Sequence, residues 1–470
     1  MAVAFVLNGE TIEEAQAAPS MTVLDFLRTR RHLTGTKEGC AEGDCGACTI
    51  AIGRDVDGTV RWQAANSCIL LLSQIDGARV RTVEGLEEGG ALDPAQLLLA
   101  ESDGTQCGFC TPGFVMSLHV LHQARGSTAV TDSEIHEALA GNLCRCTGYR
   151  PIVDAARALC AAPVVSKPEP EAPAGASRLI AGGEQHFMPE TLGELVALRS
   201  AYPEAIVIAG ATDLGLIPAK ARQGFPLAIA TRRVSELKRL AWEGDELVIG
   251  AAVTYAEGLE SVEAAFPAFG ALIRRIGSRQ IRAMGTFGGN LGTASPVGDT
   301  LPVFIALDAQ VELVGPAGTR RMAVEDFLTG YRTTALAADE VIAAVRLKRL
   351  AAGERLFAWK LSKRFDQDIS TLLAAFRLKL EGARLATFAA AFGGMAERAK
   401  RAPALEAALV GTTWGEAPPE GIEAAIAADF SPRSDLRASA DYRRAAAANL
   451  VRRLHLAVTR PDLPLELEAL

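Results

Sequence analysis

The sequence predicts a multidomain α+β protein, and three observations carry that reading. Nine cysteines lie among 470 residues, and eight of them fall into two sets confined to the first third of the chain. Short strand-like runs around a single helical period fill residues 1–80, and helical periods dominate 90–160. An Ala/Pro/Glu-rich stretch at 161–177 then gives way to an α/β section. A chain this long forms about three domains. The boundaries read as 1–80, 81–160, a linker at 161–177, 178–351 and 352–470.

The first strand is expected at 3–7 (VAFVL), running into a tight turn at Asn8-Gly9. Segment 22–31 reads as a helix with Val23, Leu24, Phe26 and Leu27 facing a core. Strands at 48–52 and 59–63 flank a turn at 53–58, so the N-terminal unit reads as a small β-grasp fold. Downstream, Asp93 and Pro94 start a helix as N-cap and first residue. A second helix runs to about Arg125, Thr131 and Glu134 form a capping box, and Pro151 opens a fourth helix. These four helices form a bundle. Beyond the linker, 189–200 reads as an amphipathic helix and 205–210 as a buried strand. Residues 246–260 repeat the strand-to-helix pattern. Residues 285–302 (GTFGGNLGTASPVGDTLP) read as a long loop of small residues lining a ligand. Strands follow from about 352, and helices fill 400–460.

Cys40, Cys45 and Cys48 are spaced C-x4-C-x2-C, with Cys68 as a fourth sulfur. That is the ligand spacing of a plant-type 2Fe-2S cluster. Gly39, Gly43 and Gly46 let the backbone fold closely around such a group. Cys107, Cys110, Cys144 and Cys146 supply four more thiolates, read as a second 2Fe-2S cluster. Zinc and disulfides are the alternatives for four cysteines, although CxC is an awkward zinc knuckle. Cys160 belongs to neither set and reads as a buried helix cysteine.

Composition bounds the setting. Residues 1–160 hold 12 basic and 20 acidic side chains and the remainder 36 of each, so this section carries the whole net charge of −8. An acidic metal-bearing section is a poor nucleic-acid binder. No apolar run approaches the ~18 residues of a membrane span. The N-terminus lacks a basic region, and Asn8 and Glu10 interrupt its apolar run, so it does not read as a secretory signal. Clustered cysteines without a signal point to reducing cytosol, hence a cytoplasmic location.

A chain with two one-electron clusters calls for a converter to two-electron chemistry, and flavin is one. Neither GxGxxG nor Walker A occurs. Two other stretches can cradle a pyrophosphate with backbone amides: 207-VIAGATDL-214, and 286-TFGGN-290 through Asp299.

The runs EGCAEGDCGACT, QCGFCTPGF, GNLCRCTGYRPI, VIAGATDLG, TFGGNLGTASPVGD and KLSKRFDQDIS follow one another as in the molybdenum hydroxylases, and the chain resembles that family from residue 1 to about 460. The fused iron–sulfur-then-flavin order, with KLSKRFDQDIS, points to the xanthine dehydrogenases within it. The resemblance implies a 2Fe-2S ferredoxin-like domain, a helical 2Fe-2S domain, a non-Rossmann FAD-binding domain of the PCMH-like type and a C-terminal α+β flavoprotein domain. It implies no substrate chemistry on this chain. That belongs to a molybdopterin-binding large subunit in an α2β2 heterotetramer. Electrons would pass from the Cys107 set to the Cys40 set, then to FAD and NAD+.

Carried over by position, the FAD contacts are Val207, Ile208, Ala209, Gly210, Ala211, Thr212, Asp213 and Leu214, with Ile276, Thr286, Phe287, Gly288, Gly289, Asn290, Asp299, Ile342 and Lys360. Tyr331, Asp366 and Asp368 fall on the NAD side. Ile276 stands where animal relatives carry a ring-stacking aromatic. His119 and His122 read as packing or surface residues, His32, His136, His186 and His455 are isolated, and Arg364 reads as a surface arginine or a tuner of the flavin.

The two ligand sets make a direct prediction. Cys144→Ser is expected to abolish one paramagnetic signal of the reduced protein and leave the other. Two unchanged signals would remove Cys144 from the second set.

Overall fold

The computed structural model describes residues 2–56, 58–125, 128, 130–164 and 169–465. The chain divides into two compact units. One is Met1–Ser235 with Thr254–Ala256 and Gly277–Gly285, and the other is Glu236–Val253, Glu257–Ile276 and Thr286–Leu470.

In the first unit, β1 (Val3–Leu7) and β2 (Glu10–Glu14) form the expected hairpin, pairing Phe5 with Ile12. Asn8 and Gly9 both take positive φ, 51° and 88°, which suits the twist of a two-residue turn. The helical segment is one short turn, α1 (Val23–Asp25), continued by a wider π-type turn over Phe26–Arg30. All four residues assigned to its core face are buried. β3 (Thr49–Val56) and β4 (Thr59–Asn66) are longer than the sequence implies, because strand pairing runs on to Val56 opposite Thr59. With β5 (Arg79–Arg81) they complete a sheet of order β2-β1-β5-β3-β4 in which β1 and β5 run parallel. The alternation in β1 sends Val3, Phe5 and Leu7 inward onto Phe26, Ile50 and Val80. Phe5 and Phe26 meet edge-to-face at 5.7 Å. Each such buried side chain contributes about 1.5–3 kcal/mol.

Four helices follow: α2 (Pro94–Glu101), α3 (Thr111–Arg125), α4 (Asp132–Leu139) and α5 (Arg150–Ala161). Asp93 caps α2 and Thr131 with Glu134 boxes α4, as the sequence signals. Helix α3 is buried from Gly113 to His122, because it packs on its neighbours and on β3 and β4. His119 is buried between Asp93 and Arg81, and His122 meets the Ala162 carbonyl. Cys160 is buried, as expected.

The expected linker lies partly outside the described residues, at 165–168. Its described remainder is tied down. Arg79 Nε donates to Pro170 O, Glu169 pairs with Arg81, and Ala176 N donates to Asp76 Oδ2. Single polar contacts hold this stretch, which is why no apolar period announced them.

Strands β6 (Arg178–Ala181) and β7 (Glu184–Phe187), helix α6 (Leu192–Ala201), β8 (Ile206–Ile208) and β9 (Leu227–Ala230) still belong to the first unit. Helix α6 starts later than periodicity implies because Thr191 and Glu194 form a capping box there. The sheet order is β6-β7-β9-β8, with β7, β9 and β8 parallel.

The second unit has an antiparallel five-stranded sheet with Val341–Lys348 at its centre. A four-stranded antiparallel sheet, from Glu354–Leu361 to Lys400–Arg401, packs through Phe376, Phe392 and Trp414 against the C-terminal helices. The expected small-residue loop at 285–302 is not a loop. Phe287–Thr293 and Thr300–Ala306 are helices, the first capped by Thr286 Oγ1. Phe287 and Leu291 are buried, so tertiary packing overrides the low helix propensity of glycine. Among the described residues, no helix is long and apolar enough to cross a membrane.

Asp76 shows how the first unit is held together. Its buried carboxylate accepts from Ala4 N at 2.8 Å, Ala176 N at 2.7 Å and Arg233 Nη2 at 2.6 Å. Asp76→Ala removes the acceptor of all three bonds and the counter-charge of a half-buried guanidinium, which keeps only backbone carbonyls as partners among the described residues. Stability in denaturant titration is expected to fall by about 3–5 kcal/mol.

Candidate iron–sulfur and flavin site

The first sulfur set lies on the loop between α1 and β3 and just beyond β4. Cys40 Sγ accepts hydrogen bonds from the amides of Glu42 (3.4 Å), Asp44 (3.3 Å) and Cys45 (3.3 Å). The Cys45 and Cys68 thiols also reach Cys40, and Cys68 reaches Cys48. The hydrogen bond from Cys45 draws the Cys40 thiol far below the usual thiol range. Cys45 and Cys68, each hydrogen-bonded first to Cys40, are pushed up in return. Four sulfurs so convergent fit a group that takes four thiolates. Asn66 Nδ2 lies 3.8 Å from Cys48 Sγ.

Gly46 carries a strict requirement. Its φ is 68°, and a Cβ there would lie 2.0 Å from the Gly141 carbonyl oxygen. This brings the two sulfur-bearing loops together. Leu143 N donates to Cys45 O at 3.0 Å and Asn142 Nδ2 to Gly46 O at 3.1 Å.

The second set sits at helix ends. Cys107 and Cys110 precede α3, while Cys144 and Cys146 precede α5. The sulfurs of Cys146 and Cys107 are 3.6 Å apart. Burial, then contact with Cys144, pushes the Cys110 thiol up to about 12. Cys144 goes the other way. Burial raises it, but Thr147 Oγ1 (3.3 Å) and the amides of Cys146 and Thr147 bring it down to about 7. Tyr149 Oη fixes this loop by accepting from Cys144 N at 2.9 Å. Among the described residues, no group of three or more His, Cys, Asp or Glu side chains is placed to hold a single metal ion. A two-iron group would instead take all four of these sulfurs as ligands, shared over two irons.

The turn after β8 lies in the same unit. Gly210 packs so closely on the backbone that a Cβ would sit 1.9 Å from Met284 O, and Gly215 abuts Ile69 O, the residue after Cys68. Among the described residues, the amides of Gly210, Ala211 and Thr212 have no backbone acceptor. Adjacent amides without backbone acceptors fit an anionic group such as a pyrophosphate. Val207, Ile208, Ala209, Asp213 and Leu214 flank them, and Gln74 Nε2 reaches Ala209 O at 3.4 Å.

In the second unit the arrangement differs from expectation. The amides of Phe287, Gly288, Gly289 and Asn290 already donate to Val253 O, Ala251 O, Thr286 Oγ1 and Thr286 O. Side chains are what this stretch has to offer a ligand. Asn290 Oδ1 accepts from Thr300 Oγ1 at 2.6 Å. Asp299 and Lys360 form a buried pair at 2.8 Å, and Ser370 Oγ donates to the other Asp299 oxygen at 2.5 Å. Ile342 lies beside Gly292, and Ile276 ends the helix Pro267–Arg274 by donating to Ile273 O. Tyr331 and Asp366 are exposed, while Asp368 is half-buried and accepts from Arg364 N at 2.9 Å. Arg364 also donates to Gln367 O. Thr147, Tyr149, Asn66 and Asn142 carry no spacing signal and were not among the residues singled out from sequence.

Four domain families match this chain. Residues 5–73 match a 2Fe-2S iron-sulfur cluster binding domain, 82–157 a 2Fe-2S binding domain, 182–348 the FAD binding domain in molybdopterin dehydrogenase, and 357–458 the CO dehydrogenase flavoprotein C-terminal domain. Xanthine dehydrogenase of Emericella nidulans is 33% identical over 91% of this chain and 36% of its own length. Xanthine dehydrogenase/oxidase of Rattus norvegicus is 29% identical over 92% and 37%. The chain thus spans little more than a third of these relatives. Among solved structures, a chain of carbon monoxide dehydrogenase from Hydrogenophaga pseudoflava is 31% identical, with TM-score 0.54 over 57% of this chain and 94% of its own. Quinoline 2-oxidoreductase from Pseudomonas putida 86 matches at 26% identity and TM-score 0.53 over 58% and 95%. The chain belongs to the molybdenum hydroxylase family, and it carries that family's two 2Fe-2S domains and its FAD-binding domain.

Thr147 gives the site its own test. A hydrogen bond to a ligand sulfur stabilises the more negative, reduced state of a cluster. Thr147→Val is expected to lower the potential of one cluster in a redox titration and leave the other unchanged.

Proposed function

We propose that this chain is the electron-transfer part of a xanthine dehydrogenase that oxidises hypoxanthine to xanthine and urate at a molybdopterin on a larger partner chain and delivers the electrons to NAD+. The clusters would carry single electrons and the flavin would join them to two-electron chemistry. One observation carries the reading: eight cysteines in two convergent sets share a compact unit with a turn whose amides have no backbone acceptor among the described residues. Cys40, Cys45, Cys48 and Cys68 would hold one cluster, and Cys107, Cys110, Cys144 and Cys146 the other. Residues 207–214 would contact FAD, with its pyrophosphate near Gly210 to Asp213. The remaining flavin residues, and Tyr331, Asp366 and Asp368 on the NAD side, are proposed on the family resemblance alone.

The division into domains at 1–80, 81–160, 178–351 and 352–470, the α2β2 assembly and a cytoplasmic location belong to the same proposal. A second reading keeps the chain's role and changes the partner's substrate to an aldehyde or an N-heterocycle. The likeness to quinoline 2-oxidoreductase favours it. A third, a zinc-stapled interaction protein, requires a colourless preparation.

The deciding measurement is a visible spectrum of the anaerobic chain before and after NADH. Bleaching of both flavin and iron–sulfur bands is expected. Bleaching by dithionite alone would move the acceptor away from NAD+. Turnover of the assembled complex on hypoxanthine against aldehydes and quinoline separates the first two readings.

A further inference from the structure

Gln280 lies in the middle of the short helix Arg279–Arg282, 134 residues beyond the last ligand cysteine (280 − 146 = 134), yet its segment Gly277–Gly285 packs into the unit that holds both sulfur sets. The side chain is 1% exposed. Its Nε2 lies 3.2 Å from Thr49 Oγ1, 3.3 Å from Ser117 Oγ and 3.1 Å from Asn142 Oδ1. These three acceptors come from the two iron–sulfur segments. Thr49 follows Cys48, Asn142 precedes Cys144 by two residues, and Ser117 lies one turn and a half into α3 beyond Cys110.

The acceptors also bind one another. Ser117 Oγ donates to Asn142 Oδ1 at 2.6 Å, Thr49 Oγ1 donates to Gly46 O at 2.7 Å, and Asn142 Nδ2 donates to the same Gly46 carbonyl at 3.1 Å. One residue further on each side is the direct link from Leu143 N to Cys45 O. The Gln280 amide therefore closes a hydrogen-bonded knot at the point where the two sulfur-bearing loops touch.

The knot has a feature that packing does not require. Among the described residues, Gln280 Oε1 is buried with no hydrogen-bonding partner, pressed against Gly141 so tightly that a Cβ there would lie 2.0 Å away. An unpaired buried acceptor costs free energy. An apolar side chain of the same length fills the space without that cost, so the amide's donors are what the site needs.

We propose that Gln280 is a positioning residue for electron transfer between the two clusters. It holds Asn142 and Thr49, and through them the Leu143–Cys45 junction, in one geometry. The step it serves moves one electron. The cluster that Cys107, Cys110, Cys144 and Cys146 would hold gives up that electron, the cluster that Cys40, Cys45, Cys48 and Cys68 would hold takes it up, and no proton would move. The inference rests on the two-cluster reading.

The test uses Gln280→Met in the full chain carrying its irons and flavin. Methionine keeps length and approximate volume and removes both donors. The magnetic splitting between the two reduced-cluster signals at low temperature reports their separation and orientation. Pulsed one-electron reduction reports transfer between them. Iron content, flavin content and both signals are expected at parental levels, with an altered splitting and transfer slowed about tenfold or more, as for loss of an outer-shell partner. A folded, iron-replete variant with parental splitting and rate would overturn the inference, because a space-filling role lowers only thermal stability. Ser117→Ala, which removes one acceptor of the knot, gives a second variant should Gln280→Met not fold. It is expected to shift the same two readouts in the same direction, and parental values there overturn the inference equally. A parent protein showing one cluster signal or none would end the two-cluster reading itself.

Discussion

Two loops that carry sulfur rather than a core must be kept at one separation, and the rest of the first unit is arranged around that constraint. Such loops have little apolar surface to bury, so burial alone does not locate them. Backbone contact does. Gly46 and Gly141 approach more closely than any Cβ allows, and the Leu143–Cys45 hydrogen bond ties the neighbour of Cys144 to Cys45 itself. The β-grasp sheet and the helix bundle act as two small rigid bodies that deliver those loops. Helix α3 fastens them together by packing directly on β3 and β4.

Parts of the sequence that matches the FAD-binding family lie in each of the two compact units. Residues 178–235 and 277–285 fold with the iron–sulfur segments, although a Pro-rich stretch precedes the first of them. Asp76 and Arg233 tie that stretch to both sides. Gly215, three residues beyond the amide turn at 210–212, consequently abuts Ile69, one residue from a candidate ligand cysteine. One compact unit thus holds both sulfur sets and the 207–214 turn.

Charge is handled differently in the second unit. The buried Lys360–Asp299 pair is satisfied by Ser370 and the Arg275 carbonyl, which offsets the cost of removing both ions from water. Arg346 is similarly met by Glu312 and Glu246 on the two neighbouring strands and by Glu243 one strand further out. Where backbone amides are spent, as at 287–290, such side chains are the polar groups that remain.

The sequence by itself determined the eight sulfurs, the β-grasp hairpin with its Asn-Gly turn, the capped helices and the family. Each of these depends on residues close in the chain or on a ligand spacing that chemistry restricts. It misjudged 285–302, where glycine content argued for a loop and the burial of Phe287 and Leu291 made helices. Gln280 was invisible to it as well. Its partners lie 231, 163 and 138 residues away, and no local pattern encodes contacts over that distance. Only the tertiary structure decided which amides lack backbone acceptors, where the two sulfur loops meet and which distant side chain holds them, because those depend on three-dimensional proximity and not on order along the chain.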